Sequence, residues 1–123
     1  MKNNKINDFG TTISFFKEEV AKFVEHRNWK IYHTPKNLVQ AINCEAGELS
    51  QLLLFKEYTV EEIWNNVQLL TNLSEEIADV FIYLISLINI LDLDLSEIFI
   101  KKMEKNKKKY SSKEFNNGTY YKK

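Results

Sequence analysis

From Leu73 to Leu91 apolar side chains recur at helical spacing, with Leu73, Ile77, Val80, Leu84, Leu87, Ile88 and Leu91 on one stripe and no glycine or proline to interrupt them. A stripe of this kind is stable only against other apolar surface, so the rest of the chain must supply helices to cover it. Its densest part, Val80 to Leu91, contains Ser86 and Asn89 and is far short of the ~20 apolar residues that span a bilayer. It reads as a buried core helix, and no membrane partner is expected. Three glycines and one proline in 123 residues leave too few turn-formers for a β-rich or Rossmann-type chain. The expected fold class is all-α, a bundle of four or five helices.

The other helices follow from caps and stripes. Thr11 or Thr12 can cap a first helix reaching about Arg27, with Ile13, Phe16, Val20, Phe23 and Val24 on one face. Residues 28–35 break the pattern. Thr34 before Pro35 is an N-cap followed by a proline at the first helical position, opening a second helix to about Phe55. Thr59 with Glu62 has capping-box spacing. It opens either one long helix to Leu91 or shorter ones divided near residues 71–74, where Ser74 is a second cap. Asp94 with Glu97 repeats the box and starts a last helix to about Lys108.

One domain over residues 1–123 is expected, with residues 1–10 and 111–123 as flexible tails. The single cysteine, Cys44, rules out an internal disulfide, and the N-terminus lacks the charged-then-apolar pattern of a leader. The expected location is therefore the cytoplasm. Residues 101–123 hold nine lysines and two glutamates, so the overall balance of 17 cations to 17 acids leaves the first hundred residues with seven excess acids. A basic tail can attract phosphates. Arg27 is the sole arginine, so a nucleic-acid partner is not the favoured reading.

The acids are not distributed like solvent-facing charges. On a helical wheel Glu45 falls inside the apolar face made by Leu38, Ile42, Leu49, Leu52 and Leu53, and Glu48 falls at its edge. On the later helix Glu76, Asp79 and Tyr83 line a shoulder of the core stripe. One i, i+3 acidic pair is ordinary on an amphipathic helix. Two pairs against apolar stripes, with no lysine or arginine at a matching position on either helix, require a compensating charge. Hard carboxylate oxygens suit Mg²⁺, with Mn²⁺ as a substitute, and such a site binds phosphate oxygens as well. A di-iron bundle would need Glu-x-x-His, and positions 48 and 79 hold acids.

Glu45-x-x-Glu48 followed by Glu76-x-x-Asp79 resembles the MazG-like, all-α nucleoside triphosphate pyrophosphohydrolases. The runs WKIYHTPKN from Trp29, EAGELSQLLLFK from Glu45, SEEIADVFIYLISL from Ser74 and KKMEKNKKKY from Lys101 extend the likeness over residues 20–110, closest to the dCTP pyrophosphatase type. The resemblance implies that Glu45, Glu48, Glu76 and Asp79 are the magnesium ligands and catalytic acids, one glutamate also orienting or deprotonating water. It implies that Lys102 and Asn106 hold the triphosphate with Lys109 and Tyr110 nearby, that His33 and Asn37 lie beside the nucleotide, and that Tyr83 and Trp29 are aromatics close to it. Phe55 stands where dCTP-type members often have tryptophan; it can stack on a base but offers no N–H, which leaves the base preference open.

The activity these residues imply is Mg²⁺-dependent hydrolysis of a nucleoside triphosphate, foremost dCTP or a modified dCTP, to the monophosphate and pyrophosphate. The alternatives are a related enzyme acting on dUTP, another non-standard nucleotide or phosphoribosyl-ATP, and a non-catalytic helical module binding nucleic acid through its basic tail. Both the aromatic surplus and the resemblance point to a homodimer or homotetramer.

Overall fold

The computed structural model describes residues 6–123 and is all helical: α1 (Ile13–His26), a short 3-10 turn (Lys30–Tyr32), α2 (Pro35–Gln51), α3 (Val60–Asn65), α4 (Val67–Ile90) and α5 (Leu95–Lys109). The described residues include no helix long and apolar enough to cross a membrane. The first five residues of the expected N-terminal tail lie outside the described part. Residues 7–10 form a hydrogen-bonded turn, in which Asn7 Oδ1 accepts from the Phe9 and Gly10 amides.

Four helices start as their sequences dictate. Thr12, Thr34, Thr59 and Asp94 each have extended backbone and accept a hydrogen bond from an amide three residues on, at 2.9–3.2 Å. The break after Thr59 falls elsewhere than at residues 71–74. Asn66 caps α4 by accepting from the Leu69 amide at 3.0 Å, and α4 then runs unbroken to Ile90. Ser74 sits inside α4, its hydroxyl donating to the Leu70 carbonyl at 2.7 Å, and Thr71 does the same to Val67 at 2.8 Å. Hydroxyls satisfied this way do not need to end a helix. At the other boundary α2 stops at Gln51, and residues 52–55 form turns that end with Phe55 at φ 58°.

The chain divides into two compact units, the first ending at Asp92 and the second running from Leu93 to Lys123. In the first, α4 is the central helix and packs against α2 most extensively, then α1 and α3. Its core is Val24, Leu38, Leu73, Ile85 and Ile88, with Ile85 fully buried and Leu38 2 % exposed. Several expected core positions are not covered: Ile77 is 57 % exposed, and Leu53, Leu84 and Leu91 are exposed as well. Periodicity identifies an apolar stripe but not what will cover it. In the second unit, residues 111–123 make contacts of their own. The Phe115 ring packs on Tyr110 and Tyr121 at centroid distances of 5.4 and 4.8 Å, and Glu114 pairs with the Lys123 ammonium at 2.5 Å and accepts from the Tyr121 hydroxyl.

Candidate metal and nucleotide site

Helix α2 is aimed by its first turn. Thr34 caps it, Pro35 occupies the first helical position, and the Asn37 side-chain amide donates to the Tyr32 carbonyl at 3.0 Å. Asn37 therefore clamps the 3-10 turn, which carries His33 at its end, to the start of α2. Ten and thirteen residues after Pro35, Glu45 and Glu48 project from α2 toward its packing partner α4, which carries Glu76 and Asp79.

The two helices bring Glu45, Glu76 and Asp79 together, with one carboxylate oxygen of each within 4.8 Å of the others. Glu48 lies beside this trio, within hydrogen-bonding reach of Glu45 and Glu76, and its charge acts on both. Glu45 and Glu76 are half-buried. One oxygen of each, Glu45 Oε2 and Glu76 Oε2, is shielded from solvent and meets no hydrogen-bond donor among the described residues. Burial, then the proximity of Glu48, Asp79 and Glu76, push the Glu45 carboxyl from 4.5 up to about 7. Burial, with the charges of Glu48 and Asp79, raises Glu76 too. Two shielded, unpartnered carboxylate oxygens in an all-oxygen cluster are what a hard divalent cation fits: it would supply the missing charge and the missing partner at once.

A pH prediction follows. Glu45 binds its proton more tightly in the fold than in the unfolded chain, so its stabilising contribution is complete below pH 4.5 and is lost as pH rises through about 7. The melting temperature of the protein in chelator should fall over this interval. Added Mg²⁺ should raise it more at pH 8 than at pH 5, because the ion competes with protons for the same oxygens. An equal Mg²⁺ shift at both pH values would contradict the assignment.

The remaining expected residues are placed as follows. Tyr83, half-buried, continues the Glu76 and Asp79 shoulder one turn along α4. His33 lines a cavity of about 570 Å³ in the first unit, whose apolar walls include Val20, Val24 and Ile90 and whose polar groups are His33, Lys30, Ser86 and Asn89. Trp29 packs edge-on against Phe23 at 5.6 Å between ring centroids, beside the Arg27 guanidinium. Phe55 is 98 % exposed in its left-handed turn. Lys102 and Asn106 lie one turn apart on α5, Lys102 exposed and Asn106 half-buried. The Lys109 ammonium lies 5.5 Å from the centre of the Tyr110 ring, and the Tyr110 hydroxyl accepts from the Lys123 amide at 3.0 Å.

Sequence reasoning missed Lys30, Ser86 and Asn89. The signal for the last two was present, since they are the polar interruptions of the apolar run that starts at Val80. Their cavity depends on α1 and the 3-10 turn folding over α4, which no local pattern announces.

Comparison with known proteins identifies the family. Residues 33–112 match the family model of the MazG nucleotide pyrophosphohydrolase domain. The chain is 36 % identical over 92 residues to dCTP pyrophosphatase 1 of Mus musculus, and 34 % identical over the same length to that of Homo sapiens. Each alignment covers 73 % of this chain and 54 % of the relative, so the chain spans about half the length of these curated relatives. Among solved structures it is similar to a pyrophosphatase from Archaeoglobus fulgidus, with a TM-score of 0.74 and 34 % identity over 87 % of this chain and 99 % of that one.

Proposed function

Because the chain belongs to the MazG nucleotide pyrophosphohydrolase family, we propose that it hydrolyses a nucleoside triphosphate to the monophosphate and pyrophosphate with Mg²⁺ at the acidic cluster. The observation that carries this reading is the pair of shielded, unpartnered oxygens on Glu45 and Glu76, inside a trio completed by Asp79. A divalent cation held there by Glu45, Glu76 and Asp79 would neutralise charge on the phosphate oxygens.

The chain's own residues do the rest. Glu45, Glu76 and Asp79 hold their carboxylates in a shared position set by the α2 and α4 backbones, which are rigid supports. Glu48, outside the trio yet beside it, is free to orient the attacking water and take its proton. For Lys102 and Asn106 a grip on the triphosphate is implied by the family resemblance alone; an unchanged KM in Lys102→Ala would remove that role. No covalent intermediate on the protein is needed.

The substrate proposed is dCTP or a modified dCTP, a reading supported by the relatives named dCTP pyrophosphatase 1. The working form is a homodimer or homotetramer. It is supported by the apolar groove of about 930 Å³ between α1 and α4, lined by Phe16, Phe23, Ile77, Phe81 and Ile82, which a second copy would cover. The decisive experiment is a screen of common and modified triphosphates for pyrophosphate release with Mg²⁺ and with chelator. Mg²⁺-dependent release, highest with a cytosine nucleotide, is expected. Preference for dUTP would move the substrate, and release of inorganic phosphate alone would overturn the reaction.

A further inference from the structure

We propose that Asn89 selects the nucleobase, its side-chain carbonyl accepting a hydrogen bond from the 4-amino group of cytosine inside the cavity that α4 shares with α1 and the 3-10 turn. This rests on the pyrophosphohydrolase reading above and deepens it. Asn89 is half-buried on α4, and its side-chain nitrogen donates to the Lys17 carbonyl of α1 at 3.0 Å. That bond ties the two helices and fixes which way the amide faces. With its NH₂ group turned to α1, the carbonyl oxygen is the acceptor left to the cavity the residue lines.

The rest of the cavity suits a pyrimidine ring. Val20, Val24 and Ile90 give apolar walls, and Lys30 brings an ammonium that can only donate. Cytosine presents an amino donor at position 4 and acceptors at N3 and O2, so the amide oxygen and the lysine complement it in order. Uracil presents an acceptor at position 4 and an N–H at N3, which opposes both groups and leaves them unpaired on binding. Position along α4 also fits. Ser86 and Ile90 continue the stripe of Asp79 and Tyr83, and seven residues of helix put Ser86 ~10.5 Å from Asp79 along the axis. A nucleotide can therefore lie along α4 with its phosphates at the acids and its base against Asn89.

The test is binding of monophosphate products by titration calorimetry, which needs no turnover. The wild-type chain should bind dCMP about 10-fold or more tightly than dUMP, and N4,N4-dimethyl-dCMP, which has no amino hydrogen, no better than dUMP. Asn89→Leu should lose most of the dCMP preference while still binding dUMP. Equal wild-type affinity for dCMP and dUMP, or an unchanged preference in Asn89→Leu, would overturn the assignment; the second result would leave Asn89 only a helix tie. Should that variant not fold, the dimethylated ligand on the wild-type chain decides alone. Turnover of all triphosphates with equal kcat/KM would sink base selection and leave the reaction standing. Selective binding with no turnover of any triphosphate would do the opposite.

Discussion

Replacing Glu76 by glutamine, or Asp79 by alanine, is expected to lower kcat/KM for pyrophosphate release by about 10³-fold or more, since metal-assisted charge neutralisation supplies several kcal/mol of the barrier reduction. Both substitutions remove an oxygen from the trio in which Glu45, Glu76 and Asp79 meet. Glutamine keeps the shape of Glu76 and removes its charge, so the loss should appear without loss of structure. A second reading separates a broken site from a broken fold. Burial and the neighbouring carboxylates already disfavour ionised Glu76, so the metal-free Glu76→Gln chain should melt no lower than wild type and somewhat higher above neutral pH. Turnover within a factor of two of wild type in either variant would remove the acids from the mechanism.

The largest stability effect is expected at Ile85. It is fully buried on α4, the helix that packs against α1, α2 and α3, so Ile85→Ala should cost about 3 kcal/mol, within the usual 2–5 for such a truncation. For a domain of this size that lowers the melting temperature by roughly 10 °C. The loss comes from the removed carbon atoms and from the cavity they leave in the core. A drop of only a degree or two in a thermal melt would show that α4 is not the axis of the first unit.

The parts that were legible in the sequence are those set by local chemistry. Thr12, Thr34, Thr59 and Asp94 announce helix starts because a short oxygen-bearing side chain followed by an amphipathic run has few other uses, and each caps its helix. Of the two alternatives left open, the division at residues 71–74 does not occur: Ser74 and Thr71 resemble caps on paper, but inside α4 their hydroxyls bond back to carbonyls one turn earlier. Asn66, as good an N-cap as serine, starts α4 instead.

The acids were legible for a different reason. A carboxylate on an apolar stripe is costly, and two such pairs on partner helices point at one another. The wheel could not tell that Glu48, at the stripe's edge, would be exposed while Glu45 is half-buried. Nor could it tell that Ile77 and Leu84, on the same stripe as buried Leu73 and Ile88, would remain exposed. Coverage depends on which helices arrive, and α1, α2 and α3 leave that strip open. The Asn89 link to Lys17 joins residues 72 positions apart, and only the tertiary packing of α1 on α4 creates it.

The central claim is that a divalent cation completes the cluster of Glu45, Glu76 and Asp79. Titration of Mn²⁺ into the wild-type chain, followed by the electron paramagnetic resonance signal of the free ion, tests it most directly. Saturable loss of the free signal that Mg²⁺ reverses is expected, with affinity weakened at least about 10-fold in Glu76→Gln. A free-ion signal that is the same with protein as in buffer, or a wild-type titration in Glu76→Gln, would contradict it.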